Sequence, residues 1–192
     1  MFKKTTFDYK FQTLRRLLKR ILFVLVFHLI SQHVHGQTQL CRSYGGPADD
    51  KAYALVEASD GGYVMAGQTN SYGTANSDVY VVKINTLGDI QWTRTVGGSG
   101  NDYAFSMAAT TDGGYILGGH TDSYTAGGDD FYFIKLDVNG NVEWTKVIGG
   151  TDDDRGFEVV QTTDGGYAMA GQTASFGAGT QDFYVVKLDG SG

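Results

Sequence analysis

Carboxylates are the residues of this chain best suited to chemistry. Asp49, Asp50, Asp102, Asp152, Asp153 and Asp154 fall in one set of loops, and Asp78, Asp122, Asp129, Asp130 and Asp182 in a second. Only Lys51 and Arg155 oppose them there. Oxygen-rich loops of this kind suit Ca²⁺, which takes roughly six to eight oxygen ligands. No segment matches an EF-hand or a glycine-rich calcium nonapeptide, and solubility of an acidic chain explains the same residues. A carboxylate-pair glycosidase needs only two acids at a suitable separation. His120 is the only histidine after residue 36 and Cys41 the only cysteine of the chain. A histidine-based zinc site and a Ser-His-Asp triad therefore lack ligands or rest on His120 alone.

An internal repeat sorts these groups. Asp-Gly-Gly-Tyr recurs at Asp60–Tyr63, Asp112–Tyr115 and Asp164–Tyr167, a step of 52 residues. Trp92 and Trp144 keep that step, as do Asp78, Asp130 and Asp182, and the pairs Gly45-Gly46, Gly97-Gly98 and Gly149-Gly150. No insertion or deletion separates the copies after Gly45. A residue present in every copy serves folding, whereas a catalytic group normally occurs once. Asp60, Asp112 and Asp164 are thus turn residues. Tyr63, Tyr115, Tyr167, Trp92 and Trp144 read as packing aromatics, and Tyr80, Tyr132, Tyr184, Lys83, Lys135 and Lys187 as structural. Asp50, Asp102 and Asp154 are placed to bond loop amides beside the glycine pairs. Asp129, Asp152 and Asp153 are not matched in every copy and are the candidate Ca²⁺ ligands. His120 stands where the other copies have Gln68 and Gln172, which favours a structural polar role. Cys41 aligns with Thr93 and Thr145 and reads as a small buried residue.

Each copy spells four short strands. Ala104–Thr110 is the first, with the apolar content of an inner strand. Tyr115–Thr121 follows the Asp-Gly-Gly turn. After a loop from Asp122 to Asp130, Phe131–Leu136 is almost continuously apolar, so both its faces are buried. Asn139-Gly140 signals a hairpin, and Val142–Ile148 is the fourth strand. Strand runs at this period mark an all-β chain of β-propeller blades. A β-solenoid and a prism-like lectin are the competing architectures. The repeats span Gln37–Gly88, Asp89–Gly140 and Asn141–Gly192, about three blade equivalents. Thr38–Tyr44 counts as a fourth-type strand, able to complete the last blade. Three blades are fewer than the usual four to eight, so the chain is expected to be part of a larger propeller, joined by further blades or by self-association.

The string from Lys135 to Gly150, followed by Asp-Asp and then Asp-Gly-Gly-Tyr, resembles the propeller repeats of large secreted and surface proteins of bacteria, especially Bacteroidetes. The resemblance covers Gln37–Gly192. It implies an extracellular module and is uninformative about activity. The Asp-x-x-Gly-x-x-x-Trp portion is also similar to quinoprotein dehydrogenase blades, which need more blades and a dedicated cofactor site.

Residues 1–36 read as a signal peptide, with seven basic residues, an apolar run from Ile21 to Ile30 and Gly36 before the cleavage point. The run is about half a membrane-spanning helix, so no membrane span is expected after cleavage. An uncleaved anchor is the competing reading. Leu40 and Thr38 before Cys41 do not suit lipidation. The leader takes seven basic residues and one acid, leaving 8 basic against 20 acidic residues, a net charge near −12. Such a surface repels nucleic acid. A lone cysteine forms no internal disulfide, so the core must stabilise the exported chain.

These readings converge on a secreted or cell-surface, non-catalytic module that binds extracellular protein or glycan. The loops before the first strand and between the second and third strands open on one face. Asp102, Asp130 and Asp154 with the aromatics Tyr72, Tyr124 and Phe176 form its expected interaction surface. No catalytic residue and no bound organic cofactor are expected. A hydrolase or quinoprotein-like enzyme domain and a structural spacer are the alternatives.

Overall fold

Turn chemistry and strand composition act together in every copy of the repeat. The computed structural model describes residues 40–74, 76–125 and 127–192. The expected signal peptide and residues 37–39 lie outside that set. Eleven strands form three sheets, and no helix occurs among the described residues. The first sheet is β1 (Asp50–Glu57), β2 (Tyr63–Thr69), β3 (Asp78–Ile84) and β4 (Ile90–Val96). The second is β5 (Asp102–Ala109), β6 (Tyr115–Thr121), β7 (Asp130–Leu136) and β8 (Val142–Ile148). The third is β9 (Asp154–Gln161), β10 (Tyr167–Thr173) and β11 (Asp182–Leu188). Each sheet is an antiparallel meander in chain order. These are propeller-like blades, and the sheets do not close into a ring.

The first β-turn of each blade follows from its sequence. Gly61, Gly113 and Gly165 take φ of +78°, +85° and +85°, a region open to glycine at no steric cost. The preceding Asp side chain accepts the amide two residues on, as Asp112 Oδ1 does from Gly114 at 2.9 Å. The repeated lysine of the third strand reaches back to the same carboxylate. Lys83 Nζ lies 2.7 Å from Asp60, Lys135 Nζ 2.9 Å from Asp112, and Lys187 Nζ 2.5 Å from Asp164. Both residue types repeat because they are two ends of one tie.

The core lies between the sheets. Val64, Ala66, Val79 and Val81 of the first pack on Met107, Tyr115, Leu117, Tyr132 and Ile134 of the second. Ile116, Phe131 and Phe133 of the second pack on Val159, Tyr167, Met169 and Val186 of the third. Every residue of β6 and β7 is buried, as two-faced packing requires. The first strands neighbour one another, β1 against β5 and β5 against β9.

Two expectations are corrected. Leu40–Tyr44 forms no strand among the described residues and does not complete the third sheet, which keeps three strands. Cys41 is exposed rather than buried. Trp92 and Trp144 do pack against the core, partly buried on the outer strands, each also resting on the glycine that ends a later hairpin, Gly140 and Gly192. The first and second sheets each span two sequence repeats, since the fourth strand pairs with the three strands before it.

Candidate functional site

The two sets of loops do meet on one face. Asn70 N–H donates to Asp49 O at 2.9 Å, Asp102 N–H to Ser77 O at 2.7 Å, and Asp154 N–H to Asp129 O at 2.5 Å. The repeated carboxylates build this junction. Oδ2 of Asp50, Asp102 and Asp154 accepts the amides of Gly46, Gly98 and Gly150 at 2.8, 2.9 and 2.8 Å. Ser71 and Ser123 hydroxyls donate to the first two at 2.7 and 2.6 Å, and Thr69 and Thr121 bond their Oδ1 atoms. The glycine pairs are small for the same reason. A Cβ on Gly98 would lie 2.7 Å from Ser123 Cβ, and one on Gly150 2.5 Å from Ser175 Cβ.

This geometry corrects the expected interaction surface. Asp102, Asp130 and Asp154 are buried and face no partner, because the loop amides and neighbouring blade enclose them. Tyr72, Tyr124 and Phe176 are about half exposed, but each lays one side on a third-strand tyrosine. Ring centroids are 5.2 Å from Tyr80, 5.9 Å from Tyr132 and 5.3 Å from Tyr184, respectively.

Nor do Asp129, Asp152 and Asp153 assemble as one ligand set. Arg155 Nε lies 2.6 Å from Asp129 Oδ2, and its NH2 nitrogen 2.7 Å from Asp153 Oδ2. The guanidinium thus takes the place between those acids that a cation would need. Asp152 is exposed, with its backbone tied to Ser175. Among the described residues no group of three or more His, Cys, Asp or Glu is placed to hold a metal ion.

The copy-specific residues nevertheless converge between the second and third sheets. His120 Nε2 stands 3.9 Å from Asp129 Oδ2, where Gln68 Nε2 of the first blade bonds Ser77 Oγ at 3.4 Å. Burial holds the His120 pKa below its ordinary value against the pull of Asp129, so the ring is neutral near pH 7. Tyr103 and Phe105 pack on it, each with centroids at 5.1 Å. A shallow groove of about 590 Å³ opens beside this cluster, lined by Gly128, Asp152, Asp153, Thr180 and Gln181 among others.

One feature escaped sequence reasoning. A register shift in each first strand leaves Tyr53, Phe105 and Phe157 without a ladder partner. Bulges re-aim side chains, and these three stack in series at 4.9 and 6.3 Å. Tyr53 and Phe157 are exposed. Their spacing of 52 residues was the available signal.

Asp130 and Asp154 crowd the same glycine, Gly149, from adjacent blades. Their Oδ1 atoms are buried without a hydrogen-bond donor. Burial, then the charge of Asp154 and of Asp129, pushes the Asp130 pKa up to about 6. A raised carboxyl pKa means that the folded state binds the proton more tightly, so stability rises as pH falls through 6 towards 4. His120 opposes this, because its lowered pKa costs stability as pH falls below about 6.5. With His120→Gln removing that opposition, the melting temperature is expected to rise between pH 7 and 5. Adding Asp130→Asn should abolish the rise. A rise that persists in the double variant would place the titration elsewhere.

No family model matches the chain. It is 26% identical over 150 residues to the regulatory protein FlaEY of Caulobacter vibrioides, a match covering 65% of this chain and 16% of that protein. A crystal structure of a protein of unknown function from Bacteroides caccae aligns with a TM-score of 0.39 and 13% identity, over 65% of this chain and 40% of that one. The chain thus spans well under half of either protein.

Proposed function

We propose that this chain is a non-catalytic module of an exported protein that binds an extracellular protein or glycan on its loop face. The observation that carries the reading is the groove beside Asp152, Asp153, Thr180 and Gln181. It lies where the copy-specific residues gather, while the repeated carboxylates are occupied with loop amides. Its carboxylate, hydroxyl and amide side chains suit sugar hydroxyls, and the aromatic series nearby offers faces for stacking. His120 is buried, and Asp129 is held by Arg155, so neither is free to act as a general base. The acidic surface favours a neutral or basic ligand over a phosphate-rich one.

An array of immobilised oligosaccharides, with a parallel panel of basic proteins, tests this reading. At least one ligand is expected to bind, and Asp152→Ala with Gln181→Ala to weaken it tenfold or more, about 1.4 kcal/mol. Binding that ignores both substitutions would remove the groove from the ligand site. Silence across both panels would count against the module itself.

A further inference from the structure

The two ends of the three-sheet stack are the separated halves of an interface that the chain already makes twice. Val79 and Phe131 occupy one repeat position on the third strands of the first and second sheets. Both are wholly buried by the sheet that follows. Phe183 occupies the same position on β11 and is 100% exposed. Val81 and Phe133 are likewise buried, whereas their counterpart Val185 is 67% exposed. Val160 of β9 adds a third exposed apolar side chain to that face.

The opposite end carries the matching hollow. Phe131 inserts against the third sheet beside Tyr184, with ring centroids 5.1 Å apart. It sits over Gly171, where an added Cβ would come within 2.8 Å of its Cζ. The corresponding residues of the first sheet are Tyr80 and Gly67. They line a groove of about 250 Å³ together with Met65 and Val82. Leu55 beside it is 61% exposed, while its counterparts Met107 and Val159 are buried by the preceding sheet.

The segment before β1 has the same character. Arg94 of β4 donates from Nε to Gly140 O of the following blade at 2.6 Å. Arg42, 52 residues earlier, donates to Gly88 O of the first blade at 3.2 Å. Tyr44 reinforces this contact through its hydroxyl, at 2.8 Å from the same oxygen. Arg42 therefore stands where the fourth strand of a preceding blade would stand. Among the described residues, the outer edge of β11 carries no such strand. In the second sheet the residue equivalent to Arg42, Lys146, pairs with Phe133, the counterpart of Val185.

We infer that the exposed face of the third sheet is a docking surface for the first sheet of a second copy of this chain, with Phe183 seated in the Met65–Gly67–Tyr80–Val82 groove. The Arg42–Tyr44 segment of that copy then runs along β11 as its fourth strand, with Arg42 opposite Val185. The contact is head to tail, so each copy uses one end and offers the other. An exposed apolar strand at a sheet edge invites pairing of this kind.

Sedimentation velocity of the protein over a wide concentration range is the test. Weight-average mass should rise with concentration beyond one chain. Phe183→Asp and Leu55→Asp, both at exposed positions, should each leave a monomer with an unchanged β-sheet circular dichroism spectrum. Mixing the two variants should restore a dimer and nothing larger, because one keeps the groove and the other keeps the phenylalanine. A bismaleimide should also join Cys41 of one copy to a Val185→Cys substitution in the next. A protein that stays monomeric at every concentration overturns the proposal. So does association that neither substitution affects, or a mixture of the two variants that forms no dimer.

Discussion

Phe131→Ala is expected to lower the free energy of unfolding by about 3–5 kcal/mol, the usual cost of emptying a large buried aromatic site. Phe131 is wholly buried and belongs to the cluster that joins the second sheet to the third. Its ring meets Tyr184 across the joint and closes over Gly171, so its loss opens a cavity between the two sheets. Phe131→Leu keeps much of the volume and should cost about 1–1.5 kcal/mol. Urea denaturation measures both. An unchanged midpoint in the alanine variant would show that the two sheets do not depend on this contact. The same substitution at Phe183 should leave the stability of the monomer unchanged, because that side chain is fully exposed. The comparison holds residue type and repeat position constant and varies burial alone.

Asp102→Ala should cost about 3 kcal/mol or more. This buried carboxylate accepts bonds from Gly98 N–H, the Ser123 hydroxyl and the Thr121 hydroxyl. Removing it strands three donors beneath the loop face, each costing about 1–3 kcal/mol when left unmet, with partial relief from water. Asp102→Asn keeps one acceptor oxygen and should lose less. Thermal unfolding of the two variants beside the parent gives the order. If Asp102→Ala melts with the parent, the carboxylate does not hold the joint. Lowered pH bears on a different carboxylate, the turn residue Asp112. Hydrogen bonds from Lys135, Thr110 and Gly114 outweigh burial and hold the Asp112 pKa at about 2. The stability of that tie is therefore present at neutral pH and lost as pH falls from about 4 towards 2.

The interior of each blade was legible because its determinants lie close together along the chain. Tyr115–Thr121 and Val142–Ile148 match β6 and β8 residue for residue. The first strand differs at its ends, running from Asp102 to Ala109. Its start is set by Asp102 N–H bonding Ser77 O in the preceding blade, a contact between residues 25 apart. The amide-binding role of Asp50, Asp102 and Asp154 was also readable, since the donating glycine lies four residues away in each copy. What was misplaced was their exposure. An aspartate in a loop reads as solvated until the loops of the preceding blade close over it, as they do at Asp102 and Asp154.

By itself the sequence determined the blade: four strands, three repeats, the left-handed glycine after each turn aspartate, and the lysine that returns to it. Hairpin pairing is local, and a constant step of 52 residues imposes the same local chemistry on every copy. Tertiary structure alone decided what happens between blades. It set Arg155 between Asp129 and Asp153, and it left Asp130 facing Asp154 without a donor while Thr121 satisfies Asp102. It also buried Phe131 and exposed Phe183, though the repeat makes them equivalent. Repeat position fixes a residue's place within its own sheet, whereas burial and charge depend on the neighbouring sheet packed against it.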